Sequence, residues 1–126
     1  MSGTWIASYR LQLHAGFPLG AAQQVLPYLA ELGISHVYLS PCLQAVPGSR
    51  HGYDITDPTR ISEDLGGEAA WVRFVECARS QGLRILLDIV PNHMAATEQN
   101  RWWDDVLAHG PYSDYAQYFE DRKSVV

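Results

Sequence analysis

Cysteine is scarce: Cys42 and Cys77 are the whole complement of a 126-residue chain. Two thiols are too few for a disulfide framework, and their spacing matches no metal-binding motif. Cys77 stands among apolar residues on a helical stretch and reads as a buried, reduced thiol. Long hydrophobic runs are missing too. Nothing approaches the roughly 18 consecutive apolar residues of a membrane helix, so no membrane partner is expected. Basic charge is short, with 9 Lys and Arg against 14 Asp and Glu and a net charge of -5. The cations are scattered, whereas phosphate backbones reward clustered ones, so nucleic acid is not an expected partner either. The opening residues lack a positive segment followed by an apolar run, so no signal peptide is visible and a cytoplasmic location is expected. No glycine-rich turn follows any strand, which leaves dinucleotide binding without support.

What is present is an ordinary globular composition, 47% hydrophobic and 18% charged, with enough Leu, Ile and Val for a core. Residues 6–13 read as a strand with Tyr9, Leu11 and Leu13 on one face. Ala22, Val25, Leu26, Leu29 and Leu32 then recur at helical spacing, and Gly33 suits a helix C-terminus. Pro27 inside that stretch predicts a kink or a second helix start. Residues 34–39 form a short apolar strand, and residues 42–63 a long irregular loop. A second helix begins near Gly67, with Trp71, Phe74, Val75 and Ala78 on one face and Gly82 after its last turn. Residues 83–90 are an almost unbroken apolar run, the pattern of a strand buried on both faces. The order β-α-β-loop-α-β predicts a parallel α/β fold, and it opens both an α/β barrel and a doubly wound sheet. A barrel takes about 250 residues, so these three strands would be less than half of one.

Three clusters carry candidate chemistry. Asp88 lies near the end of the third strand, with Asn92 and His93 just beyond it. A carboxylate in an apolar strand is costly unless paired, and ligands of α/β folds bind outside the strands' carboxyl ends. The bland alternative is an Asp that caps the following turn beside an incidental His. The second cluster is the loop around Tyr53 and Asp54, where Tyr53 offers a flat face to a sugar ring. Asp54 and Asp57 serving turns is the competing reading. The third, Trp102, Trp103, Asp104 and Asp105 with downstream tyrosines, suits an oligosaccharide channel, but core packing explains the Trp pair better.

These motifs resemble a known family. DIVPNH at residues 88–93 is similar to the first conserved region of the α-amylase superfamily, glycoside hydrolase family 13, and Gly52-Tyr53-Asp54 to its motif in the preceding strand-helix loop. YRLQL at residues 9–13, YLSPCLQAVPGSRHGYD at residues 38–54 and WWDDVLAHGP at residues 102–111 narrow the resemblance to the maltooligosyl trehalose synthases. It implies an α/β fold comprising the N-terminal part, about three β/α units, of a TIM (β/α)8 barrel. Residues 1–126 would be one incomplete catalytic barrel with no second domain, and the missing C-terminal part of the barrel would be its partner. The implied reaction is an intramolecular transglycosylation with retention. The reducing-end α-1,4 linkage of a maltooligosaccharide substrate becomes an α,α-1,1 linkage.

The resemblance also implies roles. Tyr53 would stack on the sugar whose bond breaks, and His93 would hydrogen-bond one of its hydroxyls. Asn92 would hold the loop or a neighbouring group. Asp54 would meet a charged partner across the mouth. Asp88 would pair with an arginine beside the nucleophile, supplied from a later strand, and Arg10 or Arg50 would substitute only if the fold rearranged. The catalytic nucleophile and acid/base are expected beyond Val126, so no catalytic residue falls in this chain, and it is expected to be inactive alone. No cofactor is implied, and too few oxygen ligands can be identified for a metal. Another glucan hydrolase or transglycosylase of the superfamily, or a non-catalytic remnant, are the competing readings.

Overall fold

A computed structural model of the chain describes residues 7–89, 94–95, 97 and 99–114. The elements run β1 (Ser8–Leu11), α1 (Leu19–Glu31), β2 (His36–Leu39), β3 (Leu43–Ala45), β4 (Ile55–Ile61), α2 (Gly67–Ser80), β5 (Arg84–Leu87) and α3 (Arg101–His109). β1, β2 and β5 form a parallel sheet with β2 in the middle. The register sets Arg10 beside Tyr38 and Tyr38 beside Leu86.

Period-two alternation decides what each face of this sheet meets. Leu11, Leu13, Val37 and Leu39 turn to one side and are buried there. α1 presents Leu19, Ala22, Leu26 and Leu29 as a single stripe, and α2 presents Ala70, Phe74 and Ala78 one turn apart. These residues join in one core that also takes in Leu83. Leu26 and Phe74 are fully buried, so truncating either to alanine would cost about 2–5 kcal/mol. The other face carries Arg10, Tyr38 and Leu86, all exposed or half-buried. The polar face is thus the open one.

α1 and α2 form as their spacing predicts, and Gly33 and Gly82 follow them with positive φ. Three expectations change. α1 is one helix through Pro27, so the second start offered there does not occur. The lost hydrogen bond is tolerated because Leu26 and Leu29 on either side are anchored in the core. β5 is four residues long and none of them is fully buried. Its strand has β2 as its neighbour and the open polar face on one side, so burial on both faces is not what its apolar run secures here. Finally, part of the stretch read as an irregular loop is an antiparallel ribbon of β3 and β4, irregular in register at both steps. Pro58 within β4 hid it, since proline removes a ladder donor, yet a two-stranded ribbon leaves an outer edge where that loss is harmless.

Cys42 is buried and Cys77 half-buried against the core, both as free thiols. Among the described residues α3 has no buried residue, and neither Trp102 nor Trp103 belongs to the main core, so the core-packing reading of the pair is not what that core shows. Among the described residues α3 keeps close company with the short turn that follows it rather than with the sheet. Trp102 holds the Arg101 guanidinium 4.4 Å from its ring centre.

Candidate functional site

Strand alternation brings Arg10 and Asp88 to the same face, although 78 residues separate them in the chain. Arg10 projects from β1 across β2. Asp88 follows β5, whose ladder it extends by donating its N–H to the Leu39 carbonyl at 3.0 Å. The Arg10 Nη1 donates to Asp88 Oδ2 at 3.3 Å, and its guanidinium carbon lies 4.8 Å from the centre of the Tyr38 ring. The pair is partly solvated, with side-chain exposures of 36% and 18%, and pairs of that kind contribute about 0–1 kcal/mol. Its value is therefore orientation rather than stability.

Tyr53 completes a triangle. Its hydroxyl donates to Asp88 Oδ2 through a short hydrogen bond and accepts from Arg10 Nη2 at 3.1 Å. The hydrogen bond to Asp88 is the main cause that holds the Tyr53 phenol above its ordinary value, while Arg10 pulls the other way. Tyr53 therefore remains a donor through the neutral range. Desolvation is the largest single influence on the Arg10 guanidinium and lowers it, but its bonds to Tyr53 and Asp88 together prevail and raise it above its ordinary value.

The loop that delivers Tyr53 is fixed from within and from below. Ser49 Oγ donates to Asp54 Oδ1 at 2.5 Å and accepts the Gly52 N–H at 3.0 Å. The Tyr53 N–H goes to His51 Nδ1 at 3.0 Å, and the two rings stack with centres 5.8 Å apart. Gln12, two residues beyond Arg10 on the same face, donates to the Arg50 carbonyl at 3.2 Å. Gly52 has φ +78, and a Cβ there would lie 2.7 Å from the Pro41 carbonyl oxygen, so the loop rests directly on the backbone that follows β2. Beside Asp88 lies an apolar pocket of about 80 Å³, lined by Cys42, Ile55, Trp71, Leu87 and Ile89 among others, which offers packing space rather than hydroxyl partners.

The structure thus unites two of the five sequence-derived site residues, Tyr53 and Asp88. Asn92 and His93 lie outside the described residues. Asp54 is near them in the chain but turns to its own loop: its partners are Ser49 and, at 3.8 Å, His51, so the charged partner expected across the mouth is not the one it meets among the described residues. Asp57 serves a turn, accepting the Thr59 N–H at 2.9 Å and Arg60 Nε at 3.2 Å. Among the described residues the Asp88 side chain reaches Arg10 and Tyr53. The expectation that Arg10 could reach Asp88 only in a rearranged fold is corrected, since three strands in regular parallel order place it there. Arg10, Gln12 and Tyr38 were missed as site residues. The signal was available: the alternation that sends Leu11 and Leu13 inward sends Arg10 and Gln12 to the face of Asp88. Among the described residues no cluster of His, Cys, Asp and Glu is arranged to hold a metal ion.

The chain has counterparts among known proteins. The model of the α-amylase catalytic domain matches residues 19–125. A Mycobacterium tuberculosis chain described as a maltooligosyl trehalose synthase is 48% identical over 122 residues, covering 91% of this chain and 16% of its own length. An α-amylase of Haloarcula japonica is 38% identical, with coverages of 83% and 15%. Among solved structures, a maltooligosyl trehalose synthase is 49% identical with a TM-score of 0.89, covering 93% of this chain and 16% of that one. The Sulfolobus tokodaii structure described as a hypothetical maltooligosyl trehalose synthase is 43% identical with a TM-score of 0.88, at coverages of 96% and 17%. The chain therefore spans about one sixth of the length of the relatives it matches. Three parallel strands with helices on one face, and a polar opposite face ending in Asp88, fit three β/α units of a TIM barrel. With the family model spanning residues 19–125 and the same fold in its structural neighbours, the chain belongs to the α-amylase family, and what it carries is part of that family's catalytic barrel.

Proposed function

We propose that this chain forms part of the substrate site of an isomerase. The complete enzyme would convert the reducing-end α-1,4 linkage of a maltooligosaccharide into an α,α-1,1 linkage, giving a trehalose-capped glucan. The observation that carries the reading is the Arg10–Tyr53–Asp88 triangle at the carboxyl ends of the parallel strands, in a chain 48% identical to a described synthase. Tyr53 would lay its ring against the sugar at the reacting bond, and the hydroxyl fixed by Arg10 and Asp88 would set the angle of that ring. Asp88 would act as a fixed anion supporting Tyr53. His93 and Asn92 would contact the same sugar and the loop that carries it, and Asp54 would brace the Tyr53 loop beside the substrate. Covalent attack and proton donation would fall to carboxylates outside this chain, so the 126-residue chain alone would form no product.

The experiment is product analysis with maltopentaose, using the complete protein that carries this segment. Loss of reducing ends without release of glucose supports the isomerase. Release of new reducing ends would replace it with the second reading, a glucan hydrolase, which the similarity to the Haloarcula japonica α-amylase favours. In the same protein, His93→Ala should lower turnover more than it weakens binding, because hydroxyl contacts tighten as the ring flattens in the transition state. The expected loss is about 2–4 kcal/mol of transition-state stabilisation. Unchanged turnover with a raised KM would make His93 a plain binding group.

A further inference from the structure

We infer that Arg10 is a positioning residue for substrate recognition, acting through Tyr53; this rests on the reading of Tyr53 as the sugar platform. Arg10 joins three parts of the fold that are distant in sequence: its own strand β1, the end of β5 at Asp88, and the loop that carries Tyr53. Its planar fork serves two acceptors at once, with Nη1 on Asp88 and Nη2 on Tyr53, and Nη2 also lies 3.3 Å from Gln12 Oε1. Gln12 in turn holds the Arg50 carbonyl of the same loop. Stacking on Tyr38 fixes the plane of the guanidinium, so the direction of its donors is set before any ligand arrives.

The Tyr53 ring is 36% exposed and stacks on His51, and its hydroxyl adds fixed points of its own. At the hydroxyl, Asp88 supplies one anchor. Arg10 supplies the second, and two anchors fix an orientation. A lysine could pair with Asp88 as a point charge but could not match this fork, so the geometry asks for arginine. Because Arg10 acts through Tyr53, its contribution belongs to ordering the platform before the sugar binds.

The test is a double-mutant cycle in the complete protein, with calorimetric binding of maltopentaose and steady-state kinetics as readouts. Arg10→Met should weaken binding on the order of tenfold and raise KM more than it lowers kcat, because a misplaced platform is felt in productive binding. In a Tyr53→Phe background, where the hydroxyl anchor is already gone, the same substitution should weaken binding by less than about threefold. Arg10→Lys keeps the charge and should still lose part of the affinity, so it carries the cycle if Arg10→Met lowers the melting temperature by more than a few degrees. Binding by both Arg10 variants within twofold of wild type would overturn the inference, as would an equal loss in the wild-type and Tyr53→Phe backgrounds. A wild type that binds maltopentaose but leaves its reducing ends intact would overturn the isomerase reading alone.

Discussion

Gly52 fills a position that no other residue can take without moving its neighbours. Its φ of +78 is left-handed, and the Pro41 carbonyl oxygen stands 2.7 Å from where a Cβ would be. Since backbone, not a flexible side chain, is in the way, Gly52→Ala must shift the loop just before Tyr53. In the complete protein the expected cost is about 1–3 kcal/mol in urea unfolding and, under the function proposed above, weaker maltooligosaccharide binding. Wild-type affinity in Gly52→Ala would show that the loop is not seated as described. Cys42 makes a separate prediction about pH. Burial pushes its thiol from 9.0 up to about 12. Because the folded value is the raised one, the stability this contributes is complete below the unfolded value near 9 and is lost as pH rises through about 12. Stability should therefore fall across that window in the wild type and fall less in Cys42→Ala. A thiol reagent at pH 8 should label the half-buried Cys77 well before Cys42, and equal rates would refute the burial of Cys42. Single residues were unevenly legible in the sequence. Asp88 stood out because a charge in an apolar run demands a partner, and Tyr53 because its loop mixed aromatic and acidic groups. Arg10 did not, because a cation on a strand looks like ordinary surface until the strand order is known.

At the level of elements, legibility followed periodicity. α1 and α2 have apolar stripes at helical spacing and a glycine after the last turn, so spacing alone located them. The β3–β4 ribbon escaped because its bulged register and Pro58 leave no clean alternation to read. The start of α3 was equally obscure, and the residue that fixes it is Asn100. Fully buried, it accepts the N–H groups of Trp102 and Trp103 at 3.0 and 3.2 Å and donates to the Ala95 carbonyl at 2.9 Å. Asn100→Ala removes the cap and strips that carbonyl of a donor, at an expected cost of about 1–2 kcal/mol in thermal or urea unfolding. Asn100→Ser keeps a cap acceptor and gives up the bond to the Ala95 carbonyl, so it should fall between wild type and Asn100→Ala. A smaller loss in Asn100→Ala than in Asn100→Ser would contradict this division of roles.

The described residues build a parallel sheet with one covered face and one open face. In the described sheet β1 and β5 each have one hydrogen-bonded neighbour, and Leu87 and Ile89 beside the site are 46% and 64% exposed. Unpaired strand edges of this kind recruit other strands. The 126-residue chain expressed by itself is therefore expected to self-associate in size-exclusion chromatography, and a compact monomer with one cooperative urea transition would show that it stands alone. Loss of a partner for Asp88 is not the reason, since Arg10 supplies one. A pairing made between β1 and the end of β5 also bears on exchanging parts among relatives. A hybrid joined between α1 and β2 would take Arg10 from one parent and Tyr53 and Asp88 from the other. It would pack well, because the Leu and Ala stripe of α1 meets the sheet on the opposite face. Under the function proposed above, its affinity for sugar would nonetheless depend on which parent donated residue 10, so the first β/α unit would be interchangeable as architecture but not as recognition.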